Sequence, residues 1–212
     1  MEAYSEQMSK PIDNVLYELY RETNLKVLRP RMLTSQIQGQ LMEFISKLVQ
    51  PRKILEVGTY TGYGTICLAR GLSDKEGAIH TIEKNPEVLE YARKYFEKEG
   101  ISQQVIIHND DALAVLEKLD QGFDMVFIDG DKSEYPEYLK AVKPLLNPNA
   151  ILIIDNVLWD GKVLNTDNPD KETQAVQRAN QMLQEDADFN NFLLPVRDGL
   201  MIARHEKTKP QQ

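Results

Sequence analysis

The sequence has few of the residues that define several large classes of protein. It contains one cysteine among 212 residues, Cys67, which excludes an intrachain disulfide and is typical of a reducing cytosol. No apolar stretch reaches the roughly 20 residues that a membrane-spanning helix needs. The N-terminal residues also lack the apolar core of a signal peptide. We therefore expect a cytoplasmic protein that does not enter a membrane.

Positive charge is also scarce. The chain has 25 basic and 33 acidic residues, a formal net charge of −8 and a pI near 5.0. This balance argues against a broad nucleic-acid-binding face, because such faces are basic. A hydrophobic fraction of 42% is ordinary for a globular protein. The length fits one domain with an N-terminal appendage.

Acidic residues repeatedly close short apolar runs. They are Glu56, Glu83, Asp110-Asp111, Asp129 and Asp155. If these runs are parallel strands of one sheet, all of these carboxylates lie at the carboxyl ends of the strands. Open α/β sheets bind their ligands at that edge. The pattern thus indicates an active site.

From Lys53 onward, strands and helices alternate, which predicts an α/β fold with a mostly parallel sheet and right-handed crossovers. Two late apolar runs are joined across Arg197-Asp198-Gly199 and predict a hairpin, so the C-terminal strand should be antiparallel. The helices are expected at 63–72, 86–99, 112–119, 134–143 and near 171–185.

The first 50 residues have a different, purely helical pattern. Asp13 or Asn14 should cap one helix, a second should begin near Thr34-Ser35, and residues 1–10 should be frayed. The expected buried stripe of the second helix is Ile37, Leu41, Phe44, Ile45 and Leu48. The predicted parts are an N-terminal helical segment (1–50, a lid or dimer contact), an α/β domain (51–206) and a disordered tail (207–212).

A glycine-containing loop joins the first strand to its helix. Its spacing, Gly-x-x-x-Gly-x-Gly from Gly58, differs from the Gly-x-Gly-x-x-Gly of dinucleotide sites and disfavours a pyrophosphate cradle. Glu56 would repel a phosphate but can accept hydrogen bonds from a cationic amino-acid ligand. Glu83, 21 residues beyond Gly62, is where an acid binds ribose in nucleotide-binding α/β folds. Together these features favour an adenosine-type cofactor.

The pattern Glu-x-Gly-x-x-x-Gly, followed by an acid after the second strand, resembles the class I S-adenosylmethionine (SAM) methyltransferases, whose fold is Rossmann-like. The resemblance implies that the loop receives the methionine part of SAM and that Glu83 holds the ribose. Asp111 and Ala112 match the adenine contacts, although the family often has Gly at the position of Asp110. The implied cofactor-binding residues are Glu56, Gly58, Thr59, Tyr60, Gly62, Tyr63, Glu83, Asp111, Ala112, Asp129 and Asp131.

Asp129, Asp155 and Asn156 bring three oxygen side chains to the ends of two predicted strands. Oxygen donors without clustered Cys or His suit Mg²⁺ or Ca²⁺ better than zinc. The alternative is that such acids only cap the next helix, which is reasonable for Asp131 or Ser133.

Three segments are similar to the cation-dependent O-methyltransferases, the relatives of caffeoyl-CoA and catechol O-methyltransferases. Residues 127–135 run Phe-Ile-Asp-Gly-Asp-Lys-Ser-Glu-Tyr, and residues 154–163 run Ile-Asp-Asn-Val-Leu-Trp-Asp-Gly-Lys-Val. Residues 194–200 resemble the closing hairpin of that family, with Arg197 where Gly is frequent. The matches extend from about Met32 to Ala203.

This resemblance implies that Asp129, Asp155 and Asn156 bind a divalent cation, Mg²⁺ first and Ca²⁺ or Mn²⁺ as alternatives. It implies that Asp129 and Lys132 are catalytic, with Lys132 as the general base and easier to deprotonate beside the cation. It further implies a homodimer. We interpret Met32 and Trp159 as substrate contacts.

The sequence therefore predicts a SAM- and cation-dependent O-methyltransferase that acts on a small catechol-like acceptor or another compound with vicinal oxygens. The alternative is methylation of a hydroxylated uridine in tRNA, where a local basic patch would be needed. An NAD-dependent oxidoreductase is disfavoured by the glycine spacing. A non-catalytic SAM-binding module is disfavoured because every metal ligand and Lys132 are retained.

Overall fold

A computed structural model describes residues 2–206 of the chain. The α-helices of these residues are α1 (Glu2–Met8), α2 (Asn14–Lys26), α3 (Gln36–Val49), α4 (Tyr63–Ala69), α5 (Pro86–Glu99), α6 (Ala112–Leu116), α7 (Tyr135–Val142) and α8 (Lys171–Glu185). The strands are β1 (Lys53–Val57), β2 (Ala78–Ile82), β3 (Val105–His108), β4 (Phe123–Ile128), β5 (Leu146–Ile154), β6 (Phe189–Leu194) and β7 (Leu200–His205). Short 3₁₀ turns cover Pro30–Met32, Lys132–Glu134, Lys143–Leu145 and Trp159–Leu164.

The strands form one seven-stranded sheet in the order β3-β2-β1-β4-β5-β7-β6. The pairs β2–β3, β1–β4 and β4–β5 are parallel, whereas β7 is antiparallel to both β5 and β6. The expected mostly parallel, Rossmann-like sheet with an antiparallel C-terminal strand is confirmed. The predicted disordered tail, 207–212, lies outside the described residues. No helix within 2–206 has both the length and the apolar character to cross a membrane.

By internal contacts the chain divides into two compact units, which are described separately below. The first comprises residues 2–52 and 59–110, and it contains α1 to α5 with β2 and β3. The second comprises residues 53–58 and 111–206, and it contains α6 to α8 with the remaining strands.

Local capping signals determine where several helices begin. In the first unit the Asp13 carboxylate accepts a hydrogen bond from the N–H of Leu16 and caps α2, while Ser35 caps α3. Of the two predicted candidates, Asp13 and Asn14, the cap is Asp13, and the predicted start of α3 near Thr34-Ser35 is confirmed. Helices α5 and α8 begin and end at the predicted residues. Asn85 and Asp170 cap their first turns, and Gly100, with a φ of 78°, ends α5. Helix α1 was not predicted, and the expectation of a frayed segment 1–10 was wrong.

The predicted buried stripe of α3 was wrong for Phe44 and Leu48, whereas Ile37, Leu41 and Ile45 are half-buried. The side chains of Phe44 and Leu48 are 63% and 71% exposed, whereas Gly39 and Ser46 face the interior. A Cβ atom on Gly39 would lie 2.6 Å from the Tyr63 ring, so α3 approaches α4 through its small residues. The Ser46 hydroxyl donates to the carbonyl of Leu68 at 2.7 Å. Close helix contact, rather than apolar side chains alone, therefore selects the buried face.

In the second unit, three parallel strands end in register. Val57 of β1 pairs with Ile128 of β4, and Ile128 pairs with Ile154 of β5. The residues that follow these positions, Gly58, Asp129 and Asp155, therefore leave the sheet at the same edge. This register places the predicted chemical residues of the second unit together.

Candidate active site

In the first unit, Glu83 is held by main-chain donors directly after β2. The N–H of Tyr60 donates to one carboxylate oxygen, and the N–H of Asn85 donates to the other, each at 2.9 Å. A carboxylate has about four lone-pair positions, so both oxygens can still accept from a ligand. The loop is fixed further by Thr59, whose N–H donates to the carbonyl of Ile82 at 3.2 Å. Glu83 is thus oriented before any ligand binds.

Tyr60 also anchors the segment that leads to Met32. Its hydroxyl donates to the carbonyls of Leu28 and Arg29 at 3.1 and 3.2 Å, while its backbone has a φ of 50°. Burial, assisted by the charge of Glu83, raises the pKa of the Tyr60 hydroxyl. Met32 itself is 52% exposed and available to a ligand.

The glycine loop and its helix are tightly packed in the first unit. Gly62 has a φ of 89°, and a Cβ atom there would lie 2.6 Å from the ring of Phe96. Tyr63 begins α4 and is buried, which gives it a core position. Cys67 is buried in the same helix, as predicted.

In the second unit, the end of β1 lies directly against the end of β4. The sequence suggested that Glu56 follows β1. In the structure Glu56 lies within β1 and is 1% exposed. Gly58 has a φ of 103°, and a Cβ atom there would lie 2.4 Å from the carbonyl oxygen of Asp129. Only glycine allows this approach.

Asp129 and Lys132 form an ion pair at the end of β4. The Nζ atom of Lys132 lies 2.6 Å from Oδ1 of Asp129, donates to the carbonyl of Gly130 at 3.2 Å and lies 5.4 Å from the ring centre of Tyr135. Burial acts to lower the pKa of Lys132, but the Asp129 carboxylate outweighs it, and the pKa is raised above its ordinary value. The expectation that Lys132 is easier to deprotonate beside a bound cation stays a prediction.

Asp155 and Asn156 follow β5, and main-chain contacts hold both. The N–H of Asp155 donates to the carbonyl of Ile128 at 3.0 Å, and the buried hydroxyl of Tyr135 donates to the carbonyl of Asp155 at 3.0 Å. The N–H of Asn156 donates to Oδ1 of Asp155 at 2.7 Å. Asn156 has a φ of 55°, a left-handed conformation that asparagine tolerates better than most residues.

The donor set fits a divalent cation. Neighbouring strands lie about 4.8 Å apart, so Asp129 and Asp155, which follow paired residues, begin close to one another. Two carboxylates and one amide oxygen are ligands of the kind that Mg²⁺ prefers. Within the described chain no three Cys, His, Asp or Glu side chains cluster as a metal site. The predicted set contains only two acids, because its third donor is an amide.

Two acids that the family resemblance connects with the cofactor cap short helices here. Oδ1 of Asp131 accepts from the N–H and the hydroxyl of Ser133, at 3.0 and 2.8 Å. Oδ1 of Asp111 accepts from two main-chain N–H groups at the start of α6, which opens with Ala112. The capping role of Asp131 is confirmed, and the cofactor contacts of these residues stay predictions.

Trp159 lies in a strained loop after Asn156. Trp159, Asp160 and Gly161 all have positive φ, at 48°, 52° and 75°. The indole Nε1 of Trp159 is buried and makes no hydrogen bond with the described residues, while Nζ of Lys162 lies 5.2 Å from the ring centre. A loop with this backbone needs support from its surroundings.

Sequence reasoning assigned no role to two residues that support the site, Tyr135 and Asp198. Both lie in the segments that resemble the O-methyltransferases. Asp198 precedes Gly199, a pair that signalled the hairpin turn but gave no indication of its contact with the loop after β5. Tyr135 is the last residue of the segment 127–135, and nothing in that segment indicated its hydrogen bond to Asp155.

Comparisons with known proteins agree with this arrangement. The sequence model of a family described as O-methyltransferase matches residues 6–206. A catechol O-methyltransferase of Niastella koreensis is 37% identical over 73% of this chain and 71% of its own length. A caffeoyl-CoA O-methyltransferase of Stellaria longipes is 30% identical over 82% of this chain and 76% of its own. The crystal structure of the O-methyltransferase TomG from Streptomyces achromogenes in complex with SAM has a TM-score of 0.90 and 31% identity, covering 97% of this chain and 95% of TomG.

Proposed function

The chain belongs to the O-methyltransferase family, and we propose that it moves a methyl group from SAM to a hydroxyl of a small catechol-like compound with the help of a divalent cation. It is a SAM-dependent O-methyltransferase of the catechol and caffeoyl-CoA type. The cation, the acceptor and the role of each residue are the proposed part.

The contacts of Glu83 support its role toward SAM. Its carboxylate is oriented by two main-chain N–H groups, so its remaining lone pairs would accept hydrogen bonds from the ribose hydroxyls. In the second unit, the buried carboxylate of Glu56 suits a cationic amino group, such as the one on the methionine part of SAM. Because Gly58 has no side chain, the end of β1 can lie directly against the carbonyl of Asp129 at the end of β4.

The end of β4 and the end of β5 support the role of the cation. Asp129, Asp155 and Asn156 would hold it with oxygen atoms only. A bound divalent cation stabilises a phenolate and lowers the pKa of the hydroxyl that it contacts. Two vicinal oxygens, as in a catechol, chelate such an ion better than one.

Lys132 would then take the proton of the attacking hydroxyl. Its ammonium group is held by Asp129, so a second positive charge at that carboxylate would weaken the pairing and favour the neutral amine. The chain also aligns the reacting groups, and such positioning contributes about 7–11 kcal/mol in favourable cases.

The observation that carries the proposal is the register of β4 and β5. The pair Ile128–Ile154 brings Asp129, Lys132, Asp155 and Asn156 to one edge of the second unit, in a chain that belongs to this family. A helix-capping role alone would not explain Asp155, because the next residues form a loop and not a helix.

The acceptor is tested with a panel of compounds and labelled SAM. We expect methyl transfer to catechols and little transfer to phenols with one hydroxyl, because a single oxygen cannot chelate the cation. Transfer to hydroxylated tRNA, with binding that weakens steeply as salt increases, would instead support the tRNA alternative. Equal transfer to catechols and simple phenols would contradict chelation.

We also propose that a second copy of the chain covers the exposed face of α3 in the first unit. Phe44 and Leu48 lie on this face and are mostly exposed, together with Leu25 and Leu28 near the end of α2. Phe44 and Leu48 are four residues apart and therefore neighbours on the helix surface, and adjacent exposed apolar side chains often mark a protein contact. Sedimentation should give a dimer for the natural chain and a monomer for Leu48→Glu, and a monomeric natural chain would contradict the proposal.

A further inference from the structure

The turn between β6 and β7 holds the loop that follows β5. Asp198 lies in this turn and accepts three hydrogen bonds from that loop. Its carbonyl accepts from the N–H of Leu158 at 2.8 Å, its Oδ1 from the N–H of Asp160 at 2.5 Å, and its Oδ2 from Nδ2 of Asn156 at 3.3 Å. The next residue, Gly199, accepts from the N–H of Val157 at 3.2 Å. One side chain thus contacts both the predicted metal ligand and the strained part of the loop.

The chemistry of these partners fixes the orientation of the Asn156 amide. An ionised carboxylate only accepts hydrogen bonds, so the atom that faces Asp198 must be the amide nitrogen. The amide oxygen then points away from Asp198. Only this oxygen can bind a hard cation, because the amide nitrogen carries two protons and has no free lone pair.

The backbone makes this orientation dependent on outside support. Asn156, Trp159 and Asp160 all have positive φ, a left-handed conformation that is most unfavourable for Trp159, because asparagine and aspartate tolerate it better than other non-glycine residues. The hydrogen bond from the N–H of Asp160 to Asp198 stabilises this conformation. Gly199 is packed so closely that a Cβ atom there would lie 2.6 Å from the side chain of Leu158.

We propose that Asp198 is a positioning residue for the cation site: it turns the oxygen of the Asn156 amide toward the cation and holds the Trp159 loop in its strained conformation. This inference rests on the proposed cation site. It adds a residue that binds neither the cation nor the acceptor but acts through Asn156. Partners behind metal ligands commonly change metal affinity by about 10–100-fold when they are removed.

The test measures Mn²⁺ binding by electron paramagnetic resonance on the full chain, without acceptor. The variants are Asp198→Ala, which removes both carboxylate contacts, and Asp198→Asn, which keeps the shape and one acceptor oxygen. Asp120→Asn is the matched control, since it makes the same chemical change at an exposed acid of the second unit that lies ahead of β4. Thermal unfolding and SAM binding show that each variant is folded.

We expect Asp198→Ala to weaken Mn²⁺ binding by about 10–100-fold and Asp198→Asn by less, with no change in Asp120→Asn. A double-mutant cycle adds the specific readout, because Asp198→Ala should have little further effect when Asn156 is already alanine. The chain has one tryptophan, Trp159, so acrylamide quenching of its fluorescence reports on the loop directly. In metal-free protein we expect stronger quenching in Asp198→Ala.

The outcomes separate this inference from the proposed function. If the natural chain binds Mn²⁺ and Asp198→Ala binds it equally well, the positioning role is wrong and the cation site stands. A full additional loss on top of Asn156→Ala would also overturn it, because Asp198 would then not act through Asn156. If the natural chain binds no divalent cation, the cation site itself is wrong, and the positioning role fails with it.

Discussion

The ammonium group of Lys132 lies 2.6 Å from Oδ1 of Asp129, and the two side chains are only 13% and 20% exposed. Burial acts to lower the pKa of the Lys132 amine, but this pairing raises it above its ordinary value. A group that neutralised Asp129 would remove this effect and make Lys132 a better base. A divalent cation at the end of β4 would do so, which links the proposed base to the proposed metal.

Replacing Lys132 with alanine should lower turnover by about 10²- to 10⁴-fold, the usual contribution of a general base. The affinity for SAM should change little, because Lys132 would act on the acceptor. Lys132→Arg is the matched control: it keeps the positive charge but cannot give up its proton, so it should be nearly as inactive. Kinetics and calorimetry measure the two quantities. Parallel losses in turnover and SAM affinity would count against the base role.

Removing the hydroxyl of Tyr135 should disturb the cation site without creating a cavity in the core. Tyr135→Phe keeps the buried ring but leaves the carbonyl of Asp155 without this donor, at a cost of about 1–3 kcal/mol in the free energy of unfolding. We also expect weaker Mn²⁺ binding. Tyr138→Phe is the control, because its hydroxyl donates to the side chain of Glu134 and not to the residues after β5. Equal effects of the two changes on Mn²⁺ binding would show that Tyr135 has no special role.

Alanine at Gly58 should be destabilising for two reasons, its φ of 103° and a Cβ atom 2.4 Å from the carbonyl oxygen of Asp129. Gly122 has a similar φ of 112°, but the nearest atom would be 3.9 Å away. Gly122→Ala should therefore lower the free energy of unfolding only through its unfavourable backbone conformation, by about 1–2 kcal/mol. Gly58→Ala should cost about 1–3 kcal/mol more. Urea unfolding of both variants measures the difference, and similar losses would mean that the close approach is relaxed in solution.

His108 in the first unit should make stability depend on pH. His80 and His108 stack with ring centres 5.3 Å apart, and burial lowers the pKa of His108 below its ordinary value. As the pH falls below about 6.5, the unfolded chain takes up a proton that the folded chain resists, so stability decreases. His108→Asn should reduce the loss of unfolding free energy between pH 7.5 and 5.5. An unaltered loss in His108→Asn would contradict this assignment.

The sequence best predicted the features that depend only on neighbouring residues, such as helix starts and strand ends. Helices α5 and α8 begin and end as expected. Their starts are predictable because an Asn or Asp N-cap acts only on the next few residues. The acids after β2, β4 and β5 were found because strand ends are marked by the end of an apolar run. The family motifs then supplied the expected chemistry for Asp129, Lys132 and the residues after β5.

Features that depend on contacts between distant segments were missed. The buried face of α3 includes the small residues Gly39 and Ser46, through which this helix approaches α4. Asp198 and Asn156 are 42 residues apart, and no local pattern connects them.

The most direct test of the proposed chemistry is methyl transfer from labelled SAM to a catechol, measured with Mg²⁺ and with EDTA. We predict transfer with Mg²⁺, loss of transfer in EDTA, recovery when Mg²⁺ is restored in excess, and no recovery in Asp155→Ala. Transfer that proceeds equally well in EDTA would contradict the role of the cation and of the residues that are proposed to hold it.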